Sequence, residues 1–143
     1  MFIGEYTHNL DDKGRLAVPV KFREALKGGA VVTRGIDRCL TLYPLAQWQK
    51  MAERLSDLPA SNADARSFVR LMLAGAMEVE IDRVGRIVVP QYLRKFANLS
   101  GAVVVAGLYS RVELWNQKDW QAYQEAAEVD AGDIASKLTD LGV

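Results

Sequence analysis

Two short runs of this sequence carry the residue types from which an anion-binding corner is built. Asp11, Gly14 and Arg15 stand in the order Asp-x-x-Gly-Arg, and Asp82, Gly85 and Arg86 repeat it. An arginine offers five N–H donors in a planar fork, which matches phosphate oxygens or the O6 and N7 of guanine. A carboxylate four residues earlier can hold that fork in place through a charge-assisted hydrogen bond. The glycine supplies the left-handed conformation that a tight turn often needs. Lys13, Lys21 and Arg23 accompany the first arginine, and Arg83, Arg94 and Lys95 the second. A purely structural alternative uses the same residues: Asp accepts turn amides, Gly reverses the chain and Arg staples the hairpin. Two equivalent basic corners on one face would suit a periodic polyanion.

Other chemistry finds fewer candidates. His8 is the sole histidine and Cys39 the sole cysteine, so a metal site, which needs several converging ligands, is not expected. Cys39 is expected to pack as a small buried hydrophobe, and no cofactor is expected. Glu78 and Glu80 share a face if their segment is a strand, and read as a solvated face rather than paired catalytic acids. Gly28-Gly29 and Gly101 lack the Gly-Lys-Ser/Thr context of a phosphate loop. No nucleophile elbow adjoins His8, and no enzyme is expected.

The two motifs belong to a longer internal repeat. Residues 11–19 and 82–90 match at an offset of 71, ending in Val18-Pro19 and Val89-Pro90. Gly29-Ala30-Val31-Val32 then echoes Gly101-Ala102-Val103-Val104 at an offset of 72, as do Leu42 with Leu114 and Trp48 with Trp120. One inserted residue accounts for the change. Units of this size are small for independent stability, so the halves are expected to share one core.

The elements that must position the motifs follow from patterning. Residues 2–10 predict a strand, 11–14 a turn and 16–18 the returning strand. Pro19 is suited to the first position of a short helix, with Phe22 and Leu26 on one face and Gly28-Gly29 beyond it. Residues 31–33 and 39–42 predict strands. Pro44 opens a helix whose Leu45, Trp48, Met51, Ala52 and Leu55 recur at helical spacing, predicting a buried face. Ser61 with Asp64 resembles a capping box for a third helix running to about Gly75, with Phe68, Leu71 and Met72 inward; it is expected to have no counterpart in the second half. The second half replays the first: strands from 77–81, 87–89, 103–108 and 112–115, with helices from Pro90 and Asp119. Ile134, Leu138 and Leu141 suggest a weak final helix.

The chain has 143 residues and no net formal charge. From Gln124 onward five acids face one base, a net −4, while residues 1–123 carry seventeen bases against thirteen acids, a net +4. A local positive stripe is compatible with that distribution, and the acidic tail is a candidate competitor for the basic loops. The N-terminus has no signal-peptide pattern, no run approaches a membrane span, and a single cysteine suits a reducing compartment. These features predict a cytoplasmic protein that does not enter a membrane.

The stretch Asn9-Leu10-Asp11-Asp12-Lys13-Gly14-Arg15-Leu16, Leu42-Tyr43-Pro44 followed by Trp48, and Glu113-Leu114-Trp115 in the second half resemble the MraZ family. The resemblance covers nearly the whole chain. It implies an α+β fold of two tandem AbrB-like repeats, forming a swapped-hairpin β-barrel flanked by short helices. The expected division is residues 5–47 and 76–119 for the repeats, 48–75 for connecting helices, and 120–143 for a C-terminal helix and acidic tail. The resemblance further implies a nucleoid-associated transcriptional regulator of its own division and cell-wall gene cluster. Such a protein would bind short repeated boxes in double-stranded promoter DNA as a homo-oligomeric ring, with no small-molecule substrate. Arg15 and Arg86, with Lys13 and Arg83, are the implied DNA contacts; Asp11, Gly14, Asp82 and Gly85 shape the loops. Val84 replaces the lysine in the second copy, so the first loop is expected to be the stronger base reader. The alternative is a non-enzymatic, antitoxin-like scaffold whose loops bind an acidic protein.

Overall fold

Strand alternation and proline-led helices set the order of elements in the computed structural model, which describes residues 1–142. The first half runs β1 (Phe2–Leu10), β2 (Arg15–Ala17), α1 (Val20–Leu26), β3 (Ala30–Arg34), β4 (Leu40–Pro44), α2 (Leu45–Ser56) and α3 (Ala63–Val69). A turn of π-helix, Arg70–Ala74, leads into the second half. There β5 (Met77–Val79), β6 (Arg86–Val88), α4 (Gln91–Phe96), β7 (Gly101–Tyr109) and β8 (Val112–Asn116) follow in the same sequence. α5 (Gln117–Val129), α6 (Ala131–Lys137) and a 3-10 turn at Thr139–Leu141 end it. Each half therefore closes with two helices, and α6 is the positional counterpart that the third helix was expected to lack. Pro19, Pro44 and Pro90 each stand just before a helix rather than as its first residue.

The eight strands form one antiparallel sheet in the order β5-β3-β4-β8-β7-β1-β2-β6. The edge strands β5 and β6 are consecutive in the chain, so the sheet must curl until its ends approach, giving a nearly closed barrel. The halves exchange strands throughout. β1 pairs with β7 of the second half, β5 with β3 of the first, and β2 with β6 at the pseudo-twofold axis. Neither half has a core of its own. Leu16 and Ile87 face each other at that axis and are fully buried, joined inside the barrel by Val18, Phe22, Val32, Leu42, Val89, Leu93, Val105 and Leu114.

The ladder corrects the sequence echo in one place. Ala30 pairs with Pro44 and Val79, and Val103 pairs with Asn116 and His8. Ala30 thus occupies the position of Val103, not of Ala102, an offset of 73. The second half is two residues longer before this strand, around the buried Leu99, and one shorter in the following turn. A strand alternates faces with period two, so a slip of one residue inverts every side chain. Val32 and Val105 accordingly point into the barrel, while Val104 lies outside with Cys39 and Trp115.

The helices cover the barrel less fully than their spacing suggests. In α2 only Leu55 is buried, and Leu45 is exposed. Trp48 lies against Tyr43 at a centroid distance of 5.7 Å, and Trp120 against Trp115 at 5.5 Å, so the same aromatic pair anchors α2 and α5. α3 is capped by Asn62, whose side chain accepts from the Ala65 amide, one residue later than the expected Ser61. Of the apolar residues of α3 and the π-helical turn, Met72 is buried, whereas Phe68 and Leu71 are exposed. Thr33 Oγ1 and Arg34 Nη1 donate to the carbonyls of Met72 and Leu71, satisfying acceptors of the π-helical turn. Among the described residues no helix is long and apolar enough to cross a membrane.

Candidate nucleic-acid interface

Each Asp-x-x-Gly-Arg run closes a hairpin loop by the same set of bonds. The Gly14 amide donates to the Asp11 carbonyl at 3.0 Å, and the Asp11 amide to the Arg15 carbonyl at 3.0 Å. Gly85, Asp82 and Arg86 repeat this at 3.0 and 2.9 Å. Both glycines are left-handed, with φ of +81° and +86°, the geometry of a three-residue hairpin loop closed by a glycine bulge.

The carboxylates organise these loops twice over. Asp11 Oδ1 accepts from the amides of Lys13 (3.0 Å) and Arg15 (2.8 Å), and Oδ2 from Arg15 Nε at 2.6 Å. Asp82 Oδ1 accepts from Val84 (3.0 Å) and Arg86 (2.9 Å), and Oδ2 from Arg86 Nε at 3.1 Å. The arginine backbone bonds, together with the guanidinium behind them, lower both carboxyls below the ordinary value of 3.8. Both Asp side chains therefore stay ionised at neutral pH.

The structural and binding uses of the motif are thus compatible. Binding through Nε leaves the four Nη hydrogens of each guanidinium uncommitted within the loop. Arg15 and Arg86 side chains are each 36 % exposed, so each fork is held yet accessible. Lys13 and Arg83 are exposed beside them.

The β2–β6 ladder brings the two arginines together. Arg15 lies opposite Val88, Leu16 opposite Ile87, and Ala17 opposite Arg86. Leu16 and Ile87 point inward, so Arg15 and Arg86 share the outer face as diagonal neighbours, a relation that sets residues roughly 7–8 Å apart. The two turns sit at opposite ends of this short ladder. The acidic tail begins elsewhere: α5 packs on β7 and β8, and its Trp120 and Gln124 donate to Glu5. Of the companion bases, Arg23 and Arg94 touch the loops directly, a contact that patterning had not singled out. Arg23 Nε donates to the Val18 carbonyl at 2.9 Å and Arg94 Nε to the Val89 carbonyl at 3.0 Å. Their guanidinium groups lie beside Gly85 and Gly14 respectively.

The expected outlying residues fall as follows. Cys39 is buried, and desolvation pushes its thiol up to about 12. His8 is half-buried on β1. No three His, Cys, Asp or Glu side chains converge among the described residues.

Comparison with known proteins agrees with this duplicated geometry. A family model described as "MraZ protein, putative antitoxin-like" matches twice, over residues 1–71 and 72–141. A protein of Thermomicrobium roseum named transcriptional regulator MraZ is 50% identical over 141 residues, covering 99% of each chain. Proteins of the same name from Halothermothrix orenii and Clostridium tetani are 46% and 43% identical over the full length of both chains. With two family matches, one on each strand-exchanging half, and full-length relatives well above 30% identity, this chain belongs to the MraZ family.

Proposed function

We propose that the chain is a DNA-binding transcriptional regulator whose two hairpin loops contact double-stranded promoter DNA. The observation that carries this reading is the pair of guanidinium forks on one outer face, each tied by Nε to its own aspartate and open at Nη. Such a fork meets the O6 and N7 of guanine, or two phosphate oxygens, without further ordering of its own side chain. Lys13 and Arg83 add donors at the loop tips. Counting Asp11, Asp12, Lys13 and Arg15, the first loop is neutral; Asp82, Arg83 and Arg86 leave the second at +1. The second loop is then the better phosphate clamp, and the first the stronger base reader. The relatives' name, transcriptional regulator, supports the same reading.

One chain offers only two small arginine corners. Several copies in a ring, facing regularly spaced boxes upstream of their own gene cluster, would gain by effective concentration what one copy lacks. The regulator would act in the cytoplasm at the nucleoid and repress that cluster, without catalysing a reaction. The proposed units are residues 5–47 and 76–119, joined by 48–75 and followed by 120–143. Footprinting of the purified protein on the DNA upstream of its own gene tests this. Protection of evenly spaced short boxes is expected, with sedimentation of the free protein as a closed oligomer. Absence of any protected box, with an acidic protein retained in the presence of excess duplex, would favour the antitoxin-like scaffold instead.

A further inference from the structure

We propose that Arg23 and Arg94 are positioning residues, each holding the loop of the opposite repeat in its binding shape. The bonds cross between the repeats. Arg94, on α4 of the second half, donates through Nε to the Val89 carbonyl at 3.0 Å. The Val89 amide donates to the carbonyl of Gly14, in the first loop, at 2.8 Å. The Arg94 guanidinium packs over the bare α-carbon of Gly14, where a Cβ would stand 3.0 Å from its Cζ and Nε. Arg23, on α1 of the first half, mirrors this. Its Nε donates to the Val18 carbonyl at 2.9 Å, and the Val18 amide donates to Gly85 of the second loop at 2.8 Å. A Cβ at Gly85 would collide with the Arg23 guanidinium.

Glycine at positions 14 and 85 thus serves two purposes: the left-handed turn, and a flat seat for a guanidinium from the other repeat. The plane matters as well as the charge. A lysine ammonium can reach the carbonyl but cannot cover the glycine. Because each brace spans the repeats, the shape of one loop depends on the packing of the other half's helix. Each DNA-facing corner is therefore tied to the opposite repeat by its own brace.

The test begins with the free full-length protein and the amide exchange of Lys13, Arg15, Val84 and Arg86, the four amides held by the two aspartates. Arg94→Ala is expected to accelerate exchange at Lys13 and Arg15 on the order of tenfold, a lost hydrogen bond's worth of local opening. Val84 and Arg86 should be unchanged. Arg23→Ala is expected to do the reverse. Loosening of the loop in the same repeat, of both loops equally, or of neither, overturns the proposal. So does full protection in Arg94→Lys, which would leave charge as the only requirement.

A second arm uses promoter duplex and rests on the DNA reading above. Arg15→Ala and Arg94→Ala should each weaken binding on the order of tenfold. Together they should cost no more than the larger single loss, while Arg94→Ala with Arg86→Ala should multiply. Full additivity of Arg15 with Arg94 would make Arg94 an independent DNA contact and overturn its positioning role. Crossed loosening in the first arm, with wild-type affinity for both single variants, would keep the brace and reject the loops as the DNA readers.

Discussion

Alanine at Gly14 and at Gly85 should not cost the same, although the two glycines are equivalent in sequence. Both hold φ near +80°, where an L-residue pays about 1–2 kcal/mol. The nearest atoms that a new methyl group meets differ. At Gly85 it meets the end of the Arg23 side chain, which can swing away by giving up its bond to the Val18 carbonyl, worth about 1 kcal/mol. At Gly14 the nearest atom is backbone, the Val89 carbonyl oxygen at 2.7 Å, with the Arg94 guanidinium behind it. That carbonyl cannot retreat without loosening the Val89 amide bond to Gly14 as well, a further cost of about 1 kcal/mol. The stiffer unfolded chain of an alanine variant returns about 0.4–1 kcal/mol in both cases. Net losses are about 2 kcal/mol for Gly85→Ala and about 3 kcal/mol for Gly14→Ala, by these same penalties. Urea unfolding at one fixed protein concentration measures both, provided the m-values match wild type. Equal losses, or a larger loss at Gly85, would refute the distinction between a yielding side chain and an unyielding backbone.

Three further outcomes follow from the same contacts. Leu16→Ala removes a fully buried side chain at the centre of the exchanged ladder, and should cost about 2–5 kcal/mol in urea unfolding; a loss as small as that of the exposed Val88→Ala would contradict the shared core. Asp11 and Asp82 have folded pKa values below 3.8, so their contribution to stability is complete above the unfolded value. It is lost only as pH falls through the lowered folded value; carboxyl NMR midpoints at or above 3.8 would contradict this. The Cys39 thiol, buried with a pKa of about 12, should resist a thiol reagent at pH 8 until the protein unfolds; rapid labelling of the native protein would place it at the surface.

Local chemistry was the most legible part of this chain. Asp-x-x-Gly-Arg specifies its own loop, because the carboxylate, the glycine and the arginine bond within five residues. The strands of the first hairpin, and Phe22 and Leu26 inside α1, follow equally from short-range pattern. The slip at Ala30 and Val103 was hidden by the repeated Gly-Ala-Val-Val, since identity of letters says nothing of which face a strand presents. Only pairing with β4 and β5, or with β8 and β1, decides it. Phe68 and Leu71 recur at helical spacing, but spacing does not say whether anything lies opposite, and both are exposed. Arg23 and Arg94 accompany the arginine of their own repeat in the sequence, but their partners, Gly85 and Gly14, belong to the other repeat. The braces were missed because they are contacts made across the exchange of strands.

The proposed contact of the Asp-tied arginines with DNA is tested by a salt titration of binding to the chain's own upstream promoter, comparing wild type with Arg15→Ala. Wild-type affinity should fall steeply and linearly in log–log form as salt rises, because each neutralised phosphate releases counterions. Arg15→Ala should bind more weakly at every salt concentration and lose preference for promoter over scrambled duplex. Equal binding by wild type and Arg15→Ala, or an affinity that hardly changes between low and moderate salt, would contradict the account and leave the loops as structural staples.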